Sequence, residues 1–222
     1  MSEEENIDSL LGSVKSRILS ELTYSDLGFQ DLSHMLNINK NAVKEHMDSL
    51  EMRGYVKSYF KGTGNGRPRK YYQLSEKGMS LFPKKYSLLT SLLIEEIGNT
   101  YGQEGLNKIL GNVAQKIVMT AGINESLSSG KGRDEILREL RQFVGSLNKL
   151  GYYARLEITD HSVRIVRHNC IFYELAKVNG KIICGELERN IISKGTSREF
   201  NMTEQFSKGG KSCVVEIDVP EK

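Results

Sequence analysis

The sequence predicts an α+β protein with three parts: an N-terminal winged helix-turn-helix, a helical middle, and a small C-terminal α+β domain. Three observations carry this. Apolar residues recur at helical spacing as far as Leu50, and two β-prone runs then flank a glycine-rich tip. From Pro83 the pattern is helical again. After Gly151 it changes to strand-like alternation. The boundaries that follow are 1–82, 83–151 and 152–222.

The first helix is expected over residues 6–22, where Ile7, Leu10, Leu11, Val14, Ile18 and Leu22 keep helical spacing. A short second helix should run from Phe29 to Leu36. Asn37 then suits a left-handed turn, because its side chain tolerates that backbone. Asn39 is an N-cap for the third helix, and Gly54 closes it. Val43, Met47 and Leu50 face a core at i, i+4, i+7, which leaves Lys40, Asn41, Lys44 and Glu45 on the wet face. A helix of this kind can enter a major groove, where Asn pairs with adenine and Glu accepts from cytosine. His46, at the edge of the apolar stripe, is expected to be structural.

The hairpin comes next, Tyr55 to Phe60 and Arg67 to Leu74, with Pro68 near its tip. Between Glu51 and Glu76 lie six basic residues, Arg53, Lys57, Lys61, Arg67, Arg69 and Lys70, and no acid. Alone, such a patch reads as a solvated face. Behind a polar reading helix it reads as a polyanion contact. Arg67 and Arg69 on a slim loop suit a minor groove, and Lys57, Lys61 and Lys70 suit phosphates. The expected partner is a double-stranded DNA operator, met by two copies of the chain as a homodimer.

The middle offers three helical stripes: Tyr86, Leu89, Leu93 and Ile97; Leu106, Ile109, Leu110, Val113 and Ile117; and, from Asp134 onward, Ile136, Leu140, Phe143, Leu147 and Leu150. Each either closes an internal core or forms a dimer seam. Thr120 to Arg133 reads as a loop. In the last part, Val163, Ile165 and Arg167 alternate with Arg164, Val166 and His168. Cys213, Val215, Ile217 and Val219 share one face of a terminal strand, preceded by a turn at Lys208–Lys211. Two short helices are expected between, Ile171 to Lys177 and Lys181 to Ser193.

Composition sets the outer limits. At 38% hydrophobic and 27% charged residues the chain has ordinary globular makeup, and no apolar run approaches membrane-spanning length. The acidic start, Glu3-Glu4-Glu5, is wrong for a secretory signal, which points to the cytoplasm. Three cysteines, Cys170, Cys184 and Cys213, all fall in the last part. Their spacing lacks a tight pair, and buried core thiols account for it as readily as ligands do. An enzyme built on Cys170 and His168 is disfavoured, since nothing nearby supplies an oxyanion hole. No phosphate-cradling GxxxxGK element occurs.

The chain resembles the SufR-type winged-helix regulators of iron–sulfur-cluster assembly. The resemblance is carried by Asn41-Ala42-Val43, Leu50-Glu51, Gly54, Gly66-Arg67-Pro68, Tyr72-Gln73-Leu74-Ser75, Gly78, Phe82-Pro83 and Tyr86. It continues in His168-Asn169-Cys170, Cys184 and Cys213. It implies a transcriptional repressor whose Cys170, Cys184 and Cys213 hold an iron–sulfur cluster that controls operator binding. Relatives often carry a further cysteine where this chain has Thr196-Ser197-Arg198, so the fourth position would fall to His168 or Glu186, or stay open. The C-terminal part also resembles vinyl-reductase-type ligand-binding modules. That leaves zinc, a small molecule or a metal-free thiol switch as alternative effectors.

Overall fold

The computed structural model describes residues 3–62, 68–123, 132–159 and 162–220. Contacts divide the chain into two compact units, Met1–Lys85 and Tyr86–Lys222.

In the first unit, helices α1 (Glu3–Leu11) and α2 (Ser13–Glu21) replace the single helix expected over 6–22. Gly12 separates them with φ +86°, a conformation that suits glycine and stops the helical ladder. Leu10 is exposed as a result, while Ile18 and Leu19 enter the core. A two-residue strand, β1 (Leu27–Gly28), leads directly into α3 (Phe29–Leu36). There the Gly28 N–H donates to the Asp31 carboxylate at 2.9 Å and fixes the start of the helix.

The turn into α4 (Lys40–Met52) follows the sequence expectation closely. Asn37 is left-handed (φ 52°, ψ 46°), and the Asn39 side chain accepts from the Ala42 N–H at 2.8 Å. A cap of this kind contributes about 1 kcal/mol. Gly54 closes the helix with φ +75°. Strands β2 (Val56–Lys61) and β3 (Arg69–Leu74) form the hairpin, and β1 adds to its far edge in the order β1-β3-β2. A short α5 (Glu76–Met79) follows, capped by Ser75. The core of this unit holds Leu32, Val43, Met47, Leu50 and Tyr72, all fully buried.

The second unit is a four-stranded antiparallel sheet packed with helices. α6 (Tyr86–Thr120) is interrupted at Gly102 (φ 67°, ψ 179°), so it consists of two helical segments in line of sequence. α7 (Arg133–Lys149) begins one residue before the predicted Asp134. Strands β4 (Ala154–Ile158) and β5 (Ser162–Arg167) form a hairpin. Helices α8 (Tyr173–Val178) and α9 (Gly180–Ile182) come next. A π-helical turn (Ile183–Leu187) then runs straight into α10 (Glu188–Thr196). Strands β6 (Asn201–Glu204) and β7 (Cys213–Asp218) complete the sheet in the order β4-β5-β7-β6.

One core joins the second α6 segment, α7, α10 and the inner sheet face, so the stretches 83–151 and 152–222 do not form separate cores. On α6 the buried line is Leu106, Leu110, Ala114 and Val118, at strict i, i+4 spacing, with Val113 left exposed. On α7, Ile136, Leu140, Phe143 and Leu147 are buried as predicted. Facing pairs Val163–Ile217, Ile165–Val215 and Arg167–Cys213 line the inner side of β5 and β7. Most of the loop expected at 120–133 lies outside the described residues. Among the described residues no helix is long and apolar enough to cross a membrane.

Candidate functional site

The first candidate surface starts from α4. Burial of Val43, Met47 and Leu50 fixes the rotation of the helix, and Lys40, Asn41, Lys44 and Glu45 are all exposed. Asn39, Lys40, Asn41, Ala42 and Glu45 line an open hollow at the helix start. His46 is half-buried beside this row.

The hairpin register sorts its basic residues onto two faces. Lys57, Tyr59 and Lys61 of β2 stand opposite Gln73, Tyr71 and Arg69 of β3. Successive strand residues alternate in direction, so these six share one face. The other face carries Val56, Ser58, Phe60, Lys70, Tyr72 and Leu74. It is the side that reaches α4, where Glu51 accepts from Ser58 Oγ at 2.5 Å and from Lys70 Nζ at 3.1 Å. Ser58 first, and Lys70 after it, hold the Glu51 carboxyl below its usual range. Lys70 Nζ also lies 4.7 Å from the Tyr72 ring centre. Lys70 is therefore engaged within the unit, while Lys57, Lys61 and Arg69 are exposed. Arg67 lies outside the described residues.

Lys61 and Arg69 face each other directly on the rung next to the connecting loop of the hairpin. Like charges on one antiparallel rung destabilise a sheet by roughly 0.2–1 kcal/mol. A chain that keeps such a rung gains when an anion sits over it. Lys61→Gln is accordingly expected to raise the melting temperature of the free protein slightly while weakening its binding to duplex DNA. Thermal unfolding and a binding titration on the same sample give both signs. Stacked Tyr59 and Tyr71, with ring centres 6.0 Å apart, stiffen this face, and the Tyr59 hydroxyl donates to Asp26 at 2.8 Å.

The second candidate site lies at the last inner rung of the C-terminal sheet. Alternation puts Arg167 on the same face as Val163 and Ile165, and it is 1% exposed. Its Nη1 donates to Glu188 Oε2, and the Tyr152 hydroxyl donates to Glu188 Oε1 at 2.7 Å. The guanidinium also lies 5.4 Å from the Tyr152 ring centre. Arg167 Nε and Nη2 are buried and make no hydrogen bond among the described residues. Burial pushes the Tyr152 hydroxyl far above its usual range, and Glu188 adds to that.

The three thiols gather around this pair. Cys213 is the cross-strand partner of Arg167, and Cys184 precedes Glu188 by one turn on the π-helical stretch. Cys170 is half-buried and lies within electrostatic reach of Cys213, Cys184 and Glu188. Burial pushes the Cys170 thiol up to about 11 and raises Cys213 as well, although the Phe206 N–H donates to Cys213 Sγ at 3.4 Å. A nucleophilic cysteine needs the opposite shift. Alkylation of Cys170 should therefore be slow at pH 7, where on the order of one thiol in 10⁴ is ionised, and should accelerate toward pH 11. Mass-spectrometric labelling against pH measures this. A midpoint near 8.5 would show that the site is open.

The cysteines are not arranged as the ligands of a single metal ion such as zinc. Among the described residues no three His, Cys, Asp or Glu side chains converge closely enough to hold a metal ion. His168 is exposed and lines a surface cleft with Asn148, Tyr153, Ala154 and Arg155. Glu186 is half-buried. The carboxylate that stands by the thiols is Glu188. Its i, i+4 spacing from Cys184 on a helical run is the sequence signal for it, and Glu188 rather than Glu186 takes that place.

With these geometries in place, the first unit has the winged-helix fold. Residues 14–93 match the family of winged helix DNA-binding domains. Among curated proteins, none matches the chain. Among solved structures, the crystal structure of Bacillus subtilis PadR in complex with operator DNA aligns with 13% identity and a TM-score of 0.29, covering 80% of this chain and 90% of that one.

Proposed function

We propose that the chain is a transcriptional repressor that binds a double-stranded DNA operator as a homodimer. In this reading α4 enters the major groove, and Lys57, Lys61 and Arg69 of the wing meet the backbone. The observation that carries it is the exposed row Lys40, Asn41, Lys44 and Glu45 on a helix whose other side is fully buried. The match of residues 14–93 to the winged helix DNA-binding domain family supports it. Selection of bound duplexes from a random pool, followed by titration against a scrambled control, tests it. Enrichment of a two-fold site is the expected result. Equal affinity for every duplex overturns sequence-specific regulation.

In the same proposal the C-terminal unit is the sensing part, through Cys170, Cys184 and Cys213. Its support is the shared neighbourhood of the three thiols around Arg167 and Glu188. No bound group is assigned, because the described thiols do not converge on a single metal ion. Iron, zinc and sulfide analysis of anaerobically prepared protein, with operator affinity of the triple Cys→Ser variant, decides the matter. Metal-free protein whose DNA affinity ignores the triple substitution removes the cysteines from sensing.

A further inference from the structure

The first segment of α6 carries an unusual load of uncovered apolar surface. Tyr86 is 71% exposed, Leu88 and Leu89 are each 56%, Leu92 is 51% and Leu93 is 53%. The four leucines form two i, i+4 pairs, 88 with 92 and 89 with 93, so they lie as one stripe along one side of the helix. The other side of the same segment is already in use. Ile94 is buried, and Ser91 Oγ accepts from Asn179 Nδ2 at 2.8 Å. That contact fixes the rotation of the segment and turns the leucines away from their own unit.

We infer that this stripe is the surface on which a second copy of the chain docks, with the two α6 segments antiparallel about a two-fold axis between Thr90 and Ser91. The proposal rests on the two-copy reading above and names the surface that makes it. Two features select this occupant. The segment Leu88-Leu89-Thr90-Ser91-Leu92-Leu93 has a dyad pattern of its own. An antiparallel copy places Leu88 against Leu93 and Leu89 against Leu92, while Thr90 and Ser91 stay on the far side of each helix, where Ser91 already meets Asn179. Such an isologous contact closes after two chains. Charge agrees with the same axis. In sequence the stripe is bracketed by Lys84 and Lys85 before it and by Glu95 and Glu96 after it. The axis that pairs the leucines brings Lys85 toward Glu96 at both ends. A parallel copy would set lysines against lysines and acids against acids.

Sedimentation velocity on the full chain over a range of concentrations tests this. The wild type is expected to be a dimer. Leu89→Glu with Leu92→Glu should weaken association on the order of 100-fold or more, with circular dichroism and melting temperature close to wild type. Glu96→Lys alone should weaken association about 10-fold, and Lys85→Glu added to it should restore the dimer, which a merely apolar stripe would not do. A dimer that survives the double leucine substitution overturns this surface and leaves the two-copy reading standing. A wild type that stays monomeric at every concentration overturns both. Failure of the charge swap to restore association overturns the antiparallel axis.

Discussion

Glu188→Ala is expected to cost the C-terminal unit about 3–5 kcal/mol, because it strands a buried guanidinium. Arg167 is 1% exposed, and Glu188 is the only hydrogen-bond partner of its guanidinium among the described residues. The Tyr152 hydroxyl would lose its acceptor in the same step. Urea unfolding followed by far-ultraviolet dichroism measures the loss. The double variant Arg167→Met with Glu188→Leu should recover most of it, since an apolar pair of similar volume avoids the desolvation of two ions. If Glu188→Ala unfolds at the wild-type midpoint, the ion pair is not held in the buried geometry described.

The second large effect belongs to α4. Asn41→Ala and Lys44→Ala are each expected to weaken operator binding by about 1–3 kcal/mol, with different signatures. A base contact by Asn41 predicts loss of preference for the operator over a scrambled duplex, at an unchanged salt dependence. A phosphate contact by Lys44 predicts uniform weakening on every duplex and a slope of log K against log salt reduced by about one. Titrations at several salt concentrations separate the two. Neither substitution touches the core, because both side chains are exposed, so unfolding cannot mimic the result. Unchanged affinity in both variants would remove α4 from the interface.

Much of the first unit was legible in the sequence because its signals are local. Asn37, Asn39 and Gly54 each specify one backbone state, and the stripe Val43, Met47, Leu50 leaves one rotation for α4. The strand β1 was not legible. Two residues, Leu27 and Gly28, carry no period, and they become a strand only because β3 offers an edge. The break at Gly12 was hidden for the opposite reason, since helical spacing persists across it.

In the second unit the strands β4 and β6 were missed. In β4, Ala154, Leu156 and Ile158 do alternate with Arg155 and Glu157 but over only five residues, and in β6 Glu204 stands where Met202 calls for an apolar residue, so pairing to a neighbouring strand decides the outcome. On α6 the sequence shows two apolar sides and cannot say which one the fold covers. The structure buries Ile94 and leaves the leucines out. Arg167 was placed on the apolar face by alternation alone. Its burial followed from a partner 21 residues away, which no local pattern reveals.

The lysine at position 70 shows how register can override composition. As part of a basic run it looked interchangeable with Lys61 and Arg69, yet one step along the strand turns it toward Glu51.

The π-helical turn at Ile183–Leu187 holds one residue more than a regular helix would use over the same length. Deleting a single residue there, Gly185 for instance, would let the backbone relax into uniform α-geometry. Because the extra residue is taken up by the wider turn, everything on the N-terminal side would keep its phase around the axis. Cys184 would then stand three residues before the glutamate on an α-helix, still on the flank they share. The surplus residue thus widens the rod locally without steering it, and its loss would leave the sulfur atom facing the same layer.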